Sequence, residues 1–345
     1  MTAGSGTRQP SLVARHKVLF LLLAMLTMVL GAVAGSALYV KHQIDSISRL
    51  DLNLNLDDTI GGHERPPRPA GAAAGSVNIL VAGIDDGASS RILEELRRDH
   101  WVPGSHRSDT IMVVHLDADR QKAYVISVPR DTWVPVDGYG MAKINAAFSY
   151  GGPPLFVRTM EQFTGLRMDH LVVVDWAGFR GVTDALGGVE IQTAGSVTPT
   201  TLDGTEALRY VRERYNLPRG DLDRIQRQQN VIRALSSKLM SAGTLTSPSR
   251  LGRLFGTVRG NVALDEGLTT ARLGDLAASL RELRSSDVTQ LTVPVRKFGR
   301  IDGQSVVIVN RSETKKLFGA ALADELGSYV ATHEVDMLPA AASVD

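Results

Sequence analysis

The chain has 345 residues, 43% apolar and 22% charged, with 38 basic side chains against 37 acidic ones. That length suffices for one large domain or two small ones, and a net charge of +1 argues against a general nucleic-acid binder, which carries a strong basic excess. There are no cysteines, so a disulfide framework and a thiolate metal site are both excluded.

The first element is VLFLLLAMLTMVLGAVAGSALYV, Val18 to Val40, which runs 23 residues without a charge. As a helix it would span about 34 Å, against a hydrocarbon core of about 30 Å. Arg8, Arg15 and Lys17 precede it, while the charges that follow are mixed, so the positive-inside rule places the N-terminus in the cytoplasm. The expectation is a cytoplasmic tail over 1–17, one membrane-spanning helix over 18–40 that anchors the protein in the cell membrane, and the rest of the chain outside. A cleaved signal peptide and a buried core helix are the alternatives. Residues 41–75, with ERPPRPAGAAAG at Glu64–Gly75, read as a linker because the prolines break a helix and little is available to bury. The folded part is expected to begin near Ser76.

VNILVAGID (77–85) is a continuous apolar run that empties into a Gly/Asp loop, as a buried strand does. TIMVVHLDAD (110–119) and KAYVISVPRD (122–131) follow as two strands of a hairpin with its turn at Asp117–Gln121. GGPPLFVRTMEQFTG (151–165) reads as a helix with proline in its first turn. HLVVVDWAG (170–178) reads as a buried strand, FRGVTDALGG (179–188) as a helix closed by glycine, and VEIQ as a short strand. Asp203 is a candidate N-cap for LDGTEALRYV. Residues 223–240 carry apolar side chains at 225, 231, 232, 235 and 239, the pattern of a long amphipathic helix. A helix over 268–283, strands over 288–295 and 305–310 and a helix over 312–326 complete the order, and 329–345 reads as a disordered tail. Strands and helices interleave, so the expected fold class is α/β, a mixed β-sheet sandwiched between helices, preceded by one transmembrane helix.

Three loops at strand ends collect carboxylates and arginines: Asp85 and Asp86 in GIDDG, Arg107 and Asp109 in HRSDT, and Arg130 and Asp131 in PRDT. Strand ends of α/β sheets are where ligand sites gather. Aspartates without cysteine or a local histidine cluster suit a hard divalent ion such as Mg²⁺; taken singly, Asp85 and Asp109 read better as loop or helix caps, a reading that the neighbouring arginines weaken. Residues 208–235 hold seven arginines and three acids. If 211–215 is extended, Arg212 and Arg214 share a face, whereas on a helix they point about 200° apart. On the helix from 223, Arg224 and Gln228 share a face. The choice is between a solvated helix face and a cradle of guanidinium forks for phosphate oxygens, and Arg130, Arg212, Arg214 and Arg224 together favour the cradle.

These motifs occur in a known order. NILVAGID, RSDTIMVVHLD, VISVPRDTWV, KINAAFSYGG, VVVDWAGFRGVTDALGGVEI, LDGTEALRYVRERY and GDLDRIQRQQNVIRAL resemble the LytR–CpsA–Psr (LCP) family over about residues 77–240. The later VTQLTVPV, DGQSVVIVN and KKLFGAAL resemble the C-terminal part of the same region. The resemblance implies an extracytoplasmic catalytic domain over 76–328. It implies a membrane-anchored bacterial phosphotransferase that moves a glycopolymer from a polyprenyl-pyrophosphate carrier to peptidoglycan with Mg²⁺ or Mn²⁺. By motif, Asp85 and Asp109 would hold the metal. Arg107, Arg130, Arg212, Arg214, Arg224 and Gln228 would bind the pyrophosphate, Asp221 would orient the arginines, and Lys143 is a further rim candidate. Asp85, Asp109, Arg130, Arg212 and Arg214 form the expected catalytic set. The chain departs from the family pattern in delaying the arginine of the first acidic loop to Arg91, in an inserted segment at 89–101, and in a short stretch at 192–201. A lipid carrier also demands an apolar groove, for which Leu155, Phe156, Met160, Phe163, Trp176, Phe179, Val182, Ile225 and Ile232 are candidate walls. A hydrolase acting on the same pyrophosphate and a non-catalytic lipid-binding regulatory protein are the competing readings.

Overall fold

A computed structural model of the chain describes residues 38–344, apart from 53, 55–56, 85–100, 102, 105, 194–197, 214–220, 242–246 and 341–342. In chain order the strands are β1 (Ser48–Leu50), β2 (Thr59–Ile60), β3 (His63–Glu64), β4 (Val77–Ile84), β5 (Ser108–Leu116), β6 (Ala123–Ser127), β7 (Trp133–Val136), β8 (Gly140–Lys143), β9 (His170–Asp175), β10 (Val189–Ile191), β11 (Thr200–Leu202), β12 (Val262–Asp265), β13 (Val288–Thr292), β14 (Val295–Ile301), β15 (Gln304–Val309) and β16 (Asp336–Met337). The helices are α1 (Ile144–Thr164), α2 (Trp176–Ala185), α3 (Gly204–Arg212), α4 (Asp221–Ser241), α5 (Pro248–Val258), α6 (Thr270–Ser279), α7 (Arg311–Leu322) and α8 (Leu326–Thr332).

Eight strands form one sheet in the order β1-β12-β9-β4-β5-β6-β13-β16. It is mixed: β9 lies parallel to β4, β5 antiparallel to β4 and β6, and β13 parallel to β6. The period-2 alternation of strands sorts the side chains onto two faces. Leu80, Ala82, Ile84, Ile111, Val113, Leu171 and Val173 pack on one face with Phe156 and Met160 of α1 and Phe318 of α7. Val77, Leu116, Val114, Val172 and Val174 pack on the other with Phe255 of α5 and Leu276 of α6. Coverage on both faces is why the central strands read as unbroken apolar runs. The mixed sheet between helix layers is as expected.

The expected fold class also placed a membrane-spanning helix ahead of the sheet, and this is corrected. Among the described residues no helix is long and apolar enough to cross a membrane. Of the segment 18–40, all but residues 38–40 lies outside the described residues. Residues 38–45 are helical and already carry Lys41 and Asp45, which pair at 2.5 Å.

The sheet also begins earlier than Ser76. β1 sits at its edge, Ser48 opposite Ala263 and Leu50 opposite Asp265, and Leu50, Leu52, Leu54 and Ile60 are buried in the main core. Arg65, from the proline-rich stretch, is buried against Glu161 of α1. At the other end, β16 adds to β13 with Leu291 opposite Met337.

Two helices differ instructively from their sequence signals. α1 starts at Ile144, ahead of the expected 151, because the chain kinks rather than stops at Gly151–Gly152, with Gly152 at φ 64°. A Cβ there would sit 3.2 Å from the Trp101 ring. α3 opens on the expected Asp203, which caps the Glu206 amide while the Glu206 carboxylate returns to the Asp203 N–H. Gly204 lets that first turn approach α2, since a Cβ would lie 2.5 Å from the Arg180 carbonyl oxygen.

Candidate functional site

The site assembles where β5 begins and β6 ends. After β6 the Val128 N–H still donates to the Ile111 carbonyl at 2.9 Å, so the chain tracks β5 before it turns. The turn is fixed by Thr132, fully buried, whose N–H and hydroxyl both donate to the Pro129 carbonyl, at 3.0 and 2.6 Å. The Ile144 and Asn145 amides at the start of α1 donate to the carbonyls of Thr132 (2.8 Å) and Arg130 (3.2 Å). This bracing aims Arg130 at Asp109, Nη1 to Oδ1 at 2.5 Å, with both side chains less than one-fifth exposed. Next to it Lys143 Nζ meets Asp131 Oδ1 at 3.1 Å.

A cleft of about 680 Å³ opens over this pair. Arg107, Asp109, Arg130, Asp131, Lys143 and Asn145 give it a charged and polar end. Trp133, Met141, Tyr139 and Tyr150 line it as well, with the two tyrosine rings stacked at 4.5 Å. Tyr139 is 52% exposed, so it offers an aromatic face at the rim that costs nothing to uncover.

Asp109 also lines a second, narrower cleft, together with Trp176, Val211, Arg212, Arg224 and Gln228. Arg212 ends α3 and holds its guanidinium 5.7 Å from the centre of the Trp176 ring, within cation–π range. Arg224 is buried in the first turn of α4, and Gln228 follows one helical turn later on the same face, as their spacing requires. Arg107, Asp109, Arg130, Arg212, Arg224 and Gln228 thus come from four separated stretches of chain to line two clefts that share Asp109. α3 continues through Arg212 and Glu213 caps it, so the extended reading of 211–215 does not hold at Arg212. Asp85 and Arg214 lie outside the described residues, as does the side chain of Asp221, the first residue of α4.

Asp109 is a hard oxygen donor at the junction of the clefts, chemistry that fits Mg²⁺ or Mn²⁺. Ile84, the residue before Asp85, pairs with Ser108, the residue before Asp109. A further group able to hold a metal ion, His115, Asp117 and Asp324, lies at the other end of β5.

The candidate lipid walls do not form one surface. Phe156 and Met160, with Leu155 and Phe163 packed on them, belong to the main core, Val182 to the opposite face, and Trp176 and Phe179 to a third cluster with Val211 and Val231. Of these, Trp176 lines the narrow cleft, beside Val211. Sequence reasoning missed the aromatic rim. Tyr139 sits in the β7–β8 hairpin, whose only local signal is Asp137–Gly138, and Tyr150 precedes the α1 kink.

Comparison with known proteins decides the family. The LytR_cpsA_psr family model matches residues 53–321, more than half of the chain. The chain belongs to the LytR–CpsA–Psr family. Two relatives from Corynebacterium glutamicum agree with this. A cell wall biosynthesis protein, LcpA, is 32% identical over 357 residues, covering 90% of this chain and 67% of that protein. A probable cell wall biosynthesis protein, LcpB, is 34% identical over 277 residues, covering 76% of this chain and 65% of that protein. The chain therefore spans about two-thirds of the length of the relatives it matches. The solved structure of TagT bound to LI-WTA shares the fold, with a TM-score of 0.57 and 24% identity over 73% of this chain and 91% of TagT. Membership in the LCP family groups the chain with bacterial cell wall biosynthesis proteins such as LcpA.

Proposed function

We propose that this LCP protein is a phosphotransferase that moves a glycopolymer from a polyprenyl-pyrophosphate carrier onto peptidoglycan. One observation carries the reading: Asp109 is shared by two clefts, one bearing Arg107 and Arg130 and the other Arg212 and Arg224. A pyrophosphate diester carries about two negative charges, and guanidinium forks on either side of one carboxylate are the arrangement that holds two adjacent phosphoryl groups. Relatives concerned with cell wall biosynthesis, and a fold neighbour solved with LI-WTA bound, support a glycopolymer as cargo.

In this reading Arg212, Arg224 and Gln228 bind the lipid-side phosphate, beside Trp176. Arg107 and Arg130 bind the sugar-side phosphate. A peptidoglycan hydroxyl enters along the wide cleft, oriented by the Tyr139–Tyr150 stack, and its oxygen bonds to the sugar-side phosphorus. The bond from that phosphorus to the bridging oxygen breaks, and the proton departs with the polyprenyl phosphate. The arginines stabilise the charge that gathers on the leaving oxygens. Asp109, joined by Asp85, would hold Mg²⁺ or Mn²⁺, which when bound supplies further neutralisation of the phosphates.

The test uses the full chain, Mg²⁺, a short-chain polyprenyl-pyrophosphate saccharide and a peptidoglycan oligomer. Mass spectrometry follows saccharide attached to the oligomer and polyprenyl phosphate released. Equal amounts of both support transfer. Release without attachment assigns a hydrolase instead, and no turnover, with cells indifferent to Asp109→Ala, assigns a lipid-binding regulator.

A further inference from the structure

The far end of β5 carries a second constellation. His115 is fully buried, and its Nδ1 lies 2.8 Å from Asn78 Oδ1. The Asn78 amide nitrogen donates to the Arg167 carbonyl at 3.0 Å, which fixes Oδ1 as the acceptor facing the ring. In the neutral ring the proton therefore sits on Nδ1, and Nε2 presents its lone pair. Nε2 points at two carboxylate oxygens, Asp117 Oδ1 at 3.5 Å and Asp324 Oδ1 at 3.6 Å. These separations are too long for hydrogen bonds, and a lone pair facing carboxylates has no proton to share. His115 Nε2 and Asp117 Oδ1 are both buried without a hydrogen-bond partner, a costly state for two polar atoms in one place.

We propose that His115, Asp117 and Asp324 bind a single divalent transition-metal ion, with Zn²⁺ as the best match, at a site separate from the transfer centre. The ligand set selects the ion. Nε2 lies 3.5 and 3.6 Å from the two carboxylate oxygens, a spacing into which a metal ion fits with little movement. Ca²⁺ takes oxygen ligands, and a neutral imidazole suits zinc. The Nδ1–H bond to Asn78 is the outer-shell contact that orients a metal-binding histidine. Arg120, whose guanidinium donates to the Asp117 carbonyl, offsets part of the charge of the two carboxylates. Water completes the fourth position, since Asp117 and Asp324 keep about 15% of their side-chain surface exposed. Asp117 opens the β5–β6 turn, and Asp324 lies between α7 and α8 with its carboxylate accepting from the Ala118 amide at 3.1 Å. The ion clamps the C-terminal helices to the sheet, roughly 20 Å along β5 from Asp109 at about 3.3 Å per residue.

The test takes the full chain without a histidine tag, stripped with chelator and titrated with ZnCl₂ by calorimetry and thermal melting, with MgCl₂ in parallel. One Zn²⁺ per chain is expected, with a melting temperature about 5–10 °C higher at a hundredfold excess over Kd. Asp324→Asn, which keeps an oxygen for the Ala118 amide, and Asp117→Asn should each weaken Zn²⁺ binding at least tenfold while leaving the metal-free melting temperature within a few degrees. Asp109→Asn should leave Zn²⁺ binding unchanged. The proposal is overturned if the wild-type chain takes up no Zn²⁺ and shows no thermal shift, which would make the trio an imidazolium–carboxylate cluster. It is overturned equally if both asparagine variants bind Zn²⁺ as tightly as wild type.

Discussion

Replacing Arg65 by methionine removes a guanidinium on which the N-terminal extension depends. Its Nε donates to both Glu161 oxygens at 3.1 and 3.2 Å, Nη2 to Glu161 Oε1 at 2.6 Å and to the Met168 carbonyl at 2.5 Å, and Nη1 to the carbonyls of Leu54 and Asp57 at 2.6 and 3.0 Å. The Arg65 side chain is fully buried and that of Glu161 is 2% exposed. Methionine fills similar volume, so the loss is electrostatic. The Glu161 carboxylate would keep only the Met168 N–H at 2.9 Å among these donors, and breaking one side of a buried ion pair costs about 3–5 kcal/mol. In a domain of this size that lowers the melting temperature by about 6–20 °C. Removing both charges, in Arg65→Met with Glu161→Met, should recover part of the loss, because no unpaired charge stays behind. Thermal melts followed by circular dichroism read the effect. A single variant melting within 1–2 °C of wild type would show that residues 48–65 do not belong to the cooperative fold.

Three further outcomes are expected. Arg130→Lys keeps the charge but not the planar guanidinium, which meets Asp109 through Nη1 and has further N–H groups to offer a phosphate, so transfer should fall tenfold or more while the melting temperature moves by no more than a couple of degrees; unchanged transfer would remove Arg130 from the site. Gly152→Ala forces φ 64° on an L side chain and sets its Cβ 3.2 Å from Trp101, which should cost about 1–3 kcal/mol in a denaturant titration; a neutral result would contradict the kink. Burial, more than any other influence, raises the Asp169 carboxyl above its ordinary 3.8, against the Asn78 N–H bond that lowers it. The folded state therefore holds this proton more tightly than the unfolded chain. Its contribution is present below 3.8 and is lost as pH rises through the higher folded value. Asp169→Asn should gain on wild type as pH rises from 4 to 7 in melting experiments, and a difference that is flat with pH would be inconsistent with this.

Local pattern revealed what is decided locally. The apolar runs of β4, β5, β6 and β9, the Asp117–Gln121 turn and the Asp203 cap all stand where periodicity and capping chemistry put them. The arginines could be grouped because charge without nearby counter-charge in sequence demands an explanation; among the described residues Arg107 and Arg130 line one cleft with Asp109, and Arg212 and Arg224 another. What was not legible depends on partners far along the chain. β1 is three residues long and acquires meaning only beside β12, more than 200 residues later. Arg65 looks like linker charge until Glu161 is placed against it. The Gly151–Gly152 pair reads as the start of a helix, yet the helix already runs from Ile144, kinks at the pair under Trp101 and resumes at Pro153. Hydrophobicity alone cannot separate a groove from a core: Phe156 and Met160 are core, and Leu155, Phe163, Val182, Trp176 and Phe179 pack against three different clusters.

The binding of a short prenyl pyrophosphate to the full chain, measured by calorimetry with Mg²⁺ present, bears most directly on whether the two clefts grip one ligand. Each charge-assisted hydrogen bond contributes about 1.5–3 kcal/mol, so Arg130→Ala in the wide cleft and Arg212→Ala in the narrow one should each raise Kd by at least about tenfold. If either variant binds within twofold of wild type, the two arginines do not hold the same pyrophosphate, and Asp109 is not the centre of a phosphotransfer site.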